Sequence, residues 1–176
     1  MIGLVLLVLV ATGAAGADQV NTVYLPVVRG PWPAVHWGTV VSVSDGDTVR
    51  VDLDGCPLEG VRVRYVLVDT PERGECYWSE ARDRNRQLVA GRRIGLERDA
   101  SEWDSWGRLL RYPWTADSGD VGAVLIREGF ARVAIYDDTR HLCQYLELQD
   151  QAIGEGAGGW GACGWPTPMP YAGCGG

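Results

Sequence analysis

The sequence predicts a mainly β fold of the α+β class, a small closed barrel of five or six short strands in an OB-like arrangement with about three helices packed on it. Three observations predict it. Valines alternate on both sides of Asp45-Gly46, a dipeptide that favours a tight hairpin turn. Further β-branched runs are short and are cut off by Pro, Asp or Gly. Helix-like stretches are inserted between these runs instead of following every strand.

In order, Gly38 to Leu53 (GTVVSVSDGDTVRVDL) reads as two antiparallel strands, with Asp47 starting the second. Val61 to Val68 is a third that ends at Asp69-Thr70-Pro71, where proline stops regular pairing. The three form a meander. Ser79 to Ala90 is helix-like, with Ser79 as its cap and Ala81, Leu88 and Val89 as its main apolar positions. Short strands follow at Arg93 to Arg98 and Arg108 to Tyr112, across a turn rich in Asp, Ser and Gly. Asp120 opens a helical stretch through Glu128 that stops at Gly129. Ala131 to Tyr136 is strand-like, and Asp138 or Thr139 can cap a last helix in which Leu142, Tyr145, Leu146, Gln149 and Ile153 share a face.

At 176 residues, 46% of them hydrophobic, the chain suits one compact domain with short extensions. Residues 1–17 read as a signal peptide: an apolar run followed by small residues, with Ala15 and Ala17 fitting a cleavage signal. The run is short for spanning a bilayer, so no membrane span is expected in the mature form. Residues 18–37 read as a linker, 38–161 as the folded domain and 162–176 as an irregular Cys, Gly and Pro tail. A secreted or extracellular protein follows from this organisation. Five cysteines in such a chain imply disulfides, and the odd number leaves at least one without an intramolecular partner.

All 16 basic residues are arginine, whose planar fork suits carboxylate or phosphate. The net charge of −7 argues against a broad electrostatic grip on nucleic acid. A local one is allowed, because arginines between Val61 and Arg111 offset the acids there.

The chemistry-bearing residues cluster in the barrel segments. Asp47 and Asp69 can meet on one rim through the meander, and two carboxylates with a backbone carbonyl and waters suit calcium or magnesium, not zinc. His36 and His141 have no metal-ligand spacing. Glu72, beyond a fixed Thr70-Pro71 turn, can polarise an attacking water, and Arg64 and Arg108 can hold phosphate oxygens. Together these groups describe metal-assisted hydrolysis of a phosphodiester. Each segment alone has a plainer reading, as a hairpin turn, a strand end or a solvated arginine. Arg64 and Asp69 are five apart, which puts them on opposite faces of an ideal strand, so a break in the ladder between them is expected.

The segments DGDTVRV (Asp45 to Val51), RYVLVDTPE (Arg64 to Glu72) and DSWGRLLRY (Asp104 to Tyr112), in this order, resemble the signature segments of the staphylococcal nuclease family. CYWSEA from Cys76 and REGFARVA from Arg127 are also similar to it. The resemblance covers Gly38 to Gly161. It implies a five-stranded OB-fold barrel with three helices, and calcium-dependent endonucleolytic hydrolysis of DNA and RNA by a monomer with no stable protein partner. By motif position, Asp47, Asp69 and the Thr70 carbonyl would bind calcium. Arg64 and Arg108 would hold the scissile phosphate, Glu72 would be the general base, and Trp106 would stack on substrate in place of a tyrosine. Ile135 stands where a base-contacting tyrosine is common, and Tyr136, one residue on, would face the other way from a regular strand.

Two other readings stay open: a catalytically inert OB module of the same family that binds nucleic acid or protein, and an extracellular structural domain held by disulfides. In the second, Cys76 and Cys143 would join the start of the first helix to the last helix.

Overall fold

A computed structural model describes residues 35–174. The expected signal peptide and the linker up to residue 34 lie outside the described residues. The described chain falls within one compact unit.

Five strands close the barrel: β1 (Val35–Val43), β2 (Thr48–Leu53), β3 (Val61–Tyr65), and, after the two-residue strand β4 (Val68–Asp69), β5 (Arg93–Glu97) and β6 (Leu109–Thr115). β1, β2 and β3 are the antiparallel meander expected from the alternating valines. β5 joins the other side of β1, and β6 pairs antiparallel with β5. Closure comes from a parallel pairing of β3 with β6, in which Val63 faces Leu109 and Arg64 faces Leu110. The strand β7 (Gly119–Asp120) extends β6, and β8 (Arg132–Val133) pairs with β4 outside the barrel.

Alternation puts Val40, Val49, Val51, Val63, Ile94 and Leu109 inside, each at most 2% exposed. Helices α1 (Trp78–Val89), α2 (Val121–Arg127) and α3 (Leu142–Glu155) bury Leu88, Val89, Leu125, Ile126 and Tyr145 in the same core. A short α4 (Gly159–Cys163) and a 3-10 turn over Ala172–Cys174 follow. Among the described residues no helix is long and apolar enough to cross a membrane.

Several local expectations are corrected. β1 starts at Val35, three residues ahead of the expected strand. The hairpin loop runs from Ser44 to Asp47, so β2 starts at Thr48, one residue late. The loop is held open because α1 grips it: Trp78 Nε1 donates to Asp45 Oδ1 (2.9 Å) and Asn85 Nδ2 to the Asp45 carbonyl (2.9 Å). Ser79 does not cap α1. Tyr77 occupies the cap in a left-handed conformation (φ 74°), and the Ser79 hydroxyl donates to Glu80. Asp120 does cap α2, accepting from Ala123 N–H at 3.1 Å. For α3 the cap residue is His141, while Asp138 accepts from the Ser101 N–H instead. The strand expected over Ala131 to Tyr136 shrinks to Arg132–Val133, because its only ladder partner, β4, is two residues long.

The disulfides are Cys76–Cys163 and Cys143–Cys174, and Cys56 is the unpaired thiol. The expected Cys76–Cys143 bond is therefore wrong. α4 returns Cys163 to the start of α1, and the tail returns Cys174 to the first turn of α3, so each helix start is tied to the C-terminal segment and not to the other.

Candidate active site

The Asp45-Gly46-Asp47 loop and the end of β4 meet at one rim of the barrel. Asp47 is buried and well supplied with donors. Its Oδ1 accepts from the Thr48 hydroxyl (2.9 Å), and its Oδ2 accepts from the Thr70 N–H (3.1 Å) and hydroxyl (3.0 Å). Gly46 allows this contact, because Thr70 packs directly on it.

Between β3 and β4 the chain turns at Val66-Leu67, with Leu67 at φ 62°, a conformation uncommon for a branched side chain. The turn is pinned on both sides: Val66 N–H donates to the Arg111 carbonyl, and Ala134 N–H to that of Leu67. This is the expected break in the ladder, and it brings Arg64 and Asp69 together. Arg64 Nη2 stands 3.3 Å from Asp47 Oδ2 and 3.9 Å from Asp69 Oδ1. Its Nη1 donates to the carbonyls of Tyr65 and Val68, which fixes the guanidinium. Asp69 Oδ2 is held by Arg132 Nη2 at 2.9 Å.

Glu72 is exposed at the same rim. Partial burial, then the nearby carboxylates of Asp45, Asp47 and Asp69, raise its carboxyl above the ordinary value, against a smaller opposite pull from Arg64. Its N–H is tied to Glu75 Oε2 (2.8 Å), which closes the turn leading into α1.

Arg108 reaches the site through barrel closure. Arg64 pairs with Leu110, and Arg108 lies just ahead of β6, so both arginines line the same cleft. The loop before it is organised by Asp104, whose Oδ1 accepts from the N–H groups of Trp106 (2.9 Å) and Arg108 (2.8 Å) while Oδ2 takes Arg108 Nε at 2.5 Å. Burial alone would raise the Asp104 carboxyl, but the Arg108 N–H and guanidinium and the Trp106 N–H outweigh it and hold it below the usual range. Arg62 Nη2 anchors the loop through the Trp106 carbonyl (2.7 Å).

A cleft of about 370 Å³ opens beside the rim, lined by Arg64, Arg108, Trp103, Trp106, Tyr136 and Asp137 among others. Trp106 is 74% exposed and Tyr136 73%. The structure thus brings Asp47, Arg64, Asp69 and Thr70 into one cluster, sets Glu72 beside it electrostatically, and places Arg108 and Trp106 with Arg64 around the cleft. Sequence reasoning missed Trp103, Asp104 and Arg132, and it turned Tyr136 away from the site. The alternation argument fails for Tyr136 because β8 has ended at Val133.

Asp47 and Asp69 offer carboxylate oxygens to the same point, marked by one guanidinium nitrogen within 4 Å of both. Among the described residues no group of three or more His, Cys, Asp and Glu gathers as a metal cluster. Two carboxylates and the adjacent Thr70 carbonyl, all hard oxygen donors, fit an ion that keeps part of its water shell, as calcium or magnesium does.

A sequence model of the family described as staphylococcal nuclease homologue matches residues 62–162. The chain is 35% identical over 139 residues to the SPbeta prophage-derived endonuclease YokF of Bacillus subtilis, covering 74% of this chain and 46% of that protein. Endonuclease YncB of the same organism is also 35% identical over 139 residues, covering 74% and 64%. The thermonuclease of Staphylococcus intermedius is 35% identical over 121 residues, covering 64% and 70%. The chain spans about half the length of the first of these and just under two thirds of the second. The family match takes in more than half of the 176 residues and every strand of the barrel from Arg62 of β3 onward, so the chain belongs to the staphylococcal nuclease homologue family.

Proposed function

We propose that this chain is an exported, calcium-dependent nuclease that hydrolyses phosphodiester bonds of DNA or RNA. The observation that carries the reading is the convergence of Asp47 and Asp69 on Arg64, next to a cleft holding Arg108 and exposed aromatic rings. Nuclease names among the relatives support the same reaction class.

Asp47, Asp69 and the Thr70 carbonyl would hold the calcium. When bound, the ion supplies Lewis-acid polarisation of the phosphoryl group and lowers the pKa of coordinated water. Arg64 and Arg108 hold the scissile phosphate and stabilise charge on its non-bridging oxygens as the bond breaks. Glu72 accepts a proton from the attacking water. Trp106 and Tyr136 stack against bases, which grips a strand without demanding a sequence. Stacking and the Arg64 and Arg108 contacts give a local grip to a chain whose overall charge is −7. The enzyme acts as a monomer. Two disulfides support folding in an oxidising, extracellular compartment.

The test is incubation of the protein with plasmid DNA and with RNA, with calcium or a chelator, beside Asp47→Ala and Arg64→Ala. Calcium-dependent cleavage lost in both variants is expected. Binding without cleavage in the wild type would establish the inert module instead, and neither binding nor cleavage the structural domain.

A further inference from the structure

Arg132 reaches the site from outside the cleft. It is the cross-strand partner of Asp69 in the β4–β8 pair, and its Nη2 donates to Asp69 Oδ2 at 2.9 Å. Its guanidinium also lies 5.4 Å from the ring centroid of Trp165. That ring is itself confined. It rests on Gly159, where a β-carbon would stand 2.2 Å from Trp165 Cζ2, and it meets Trp160 edge-on at 5.2 Å. Two residues before it, Cys163 is bonded to Cys76. Arg132 is therefore fixed by its strand, its carboxylate and its aromatic neighbour.

We infer that Arg132 is a positioning residue that restricts Asp69 to one free oxygen and weakens cation binding at the Asp47–Asp69 site. The inference rests on the reading of those two carboxylates as cation ligands. Before any ion arrives, the carboxylates of Asp47 and Asp69 are balanced by the guanidiniums of Arg64 and Arg132. The two arginines then behave differently. Arg64 lines the cleft, so its Nη2 can turn from the carboxylates to a substrate phosphate while Nη1 keeps the Tyr65 and Val68 carbonyls. Arg132 does not line the cleft and has Asp69 as its carboxylate partner. A divalent ion held by Asp69 would accordingly meet a positive charge on the other oxygen of the same carboxylate. Ordering of the Asp69 side chain by Arg132 helps binding, but only by the small rotamer freedom of one short side chain. Repulsion of a doubly charged ion at such short range is the larger effect even where solvent screens it. The site is thereby set for a compartment rich in the cation, as weak extracellular calcium modules are.

The experiment is calcium titration by isothermal calorimetry of the full chain in the absence of nucleic acid, with thermal melts confirming that each variant is folded. Arg132→Gln binds about three- to tenfold more tightly than wild type. Arg132→Lys, which keeps the charge, retains the wild-type affinity. Trp165→Leu, which loosens the guanidinium without removing it, tightens binding by a smaller factor and gives a second reading should Arg132→Gln not fold. Equal or weaker affinity in Arg132→Gln, with Asp69→Asn still abolishing the wild-type signal, overturns the role of Arg132 alone. No calcium binding by the wild type, or binding untouched in Asp69→Asn, overturns the cation site and the inference with it.

Discussion

Gly46 lies directly under Thr70: a β-carbon on Gly46 would stand 2.7 Å from Thr70 Cβ, Cγ2 and Oγ1. Thr70 in turn gives Asp47 two of its hydrogen bonds, from its N–H and its hydroxyl. Gly46→Ala therefore pushes Thr70 and Asp47 apart without touching any charged group. A displacement of about 1 Å at such a site costs on the order of 10²-fold in rate. Nuclease assays on Gly46→Ala are expected to show that loss in kcat, with the near-ultraviolet circular dichroism of the core retained. Wild-type kcat would show that the rim tolerates the shift.

Asp104 carries a pH-dependent part of the stability. Its folded-state carboxyl lies below the ordinary value of 3.8, so its contribution is fully present above that pH and is lost as the pH falls through the depressed folded value. Asp104→Asn removes it. Urea unfolding at pH 7 is expected to show the variant less stable than wild type. The gap narrows as the pH falls below 3.8 and closes at the pH where the folded-state carboxyl is protonated. A gap of constant size down to that pH would place the effect in packing instead of charge.

The two aromatic walls of the cleft give a binding prediction. Base stacking is worth about 1–3 kcal/mol per ring, so Trp106→Ala and Tyr136→Ala should each raise KM for single-stranded substrate by about ten- to a hundredfold with little change in kcat. Both rings are more than 70% exposed, so thermal stability should be unchanged within error. An equal fall in kcat would assign these residues to the chemistry instead of to holding the strand.

The barrel and most of the rim were legible because they follow from local rules: valine alternation gave the meander, and the odd spacing of Arg64 and Asp69 required the turn that is found at Val66-Leu67. What was not legible depends on which distant segment arrives. Nothing near Ser79 announces that Tyr77 will take the cap position, stacked on Phe130 at 5.4 Å. Arg132 meets Asp69 only because a two-residue strand pairs there, and that same brevity frees Tyr136 from strand alternation. The cysteine pairing failed for the same reason, since the path of residues 164–174 carries no periodic signal.

Those disulfides differ in leverage. Cys76–Cys163 spans 87 residues and Cys143–Cys174 spans 31. Chain entropy alone assigns them about 4–5 and about 3–4 kcal/mol, as upper values. Replacing Cys76 and Cys163 with serine should lower the urea midpoint more than replacing Cys143 and Cys174. The reverse order would mean that the tail contacts of Cys174 outweigh the loop closed by Cys163.

The parallel pairing of β3 with β6 decides when in folding the cleft comes into being. Arg64 lies on β3 and Arg108 just ahead of β6, and that closing seam brings both to one cleft. A polypeptide halted with its meander formed but β6 undocked carries Asp47 and Arg64 and lacks the Arg108 side of the cleft. The cleft is thus withheld until the barrel is complete, whatever state the rest of the rim has reached.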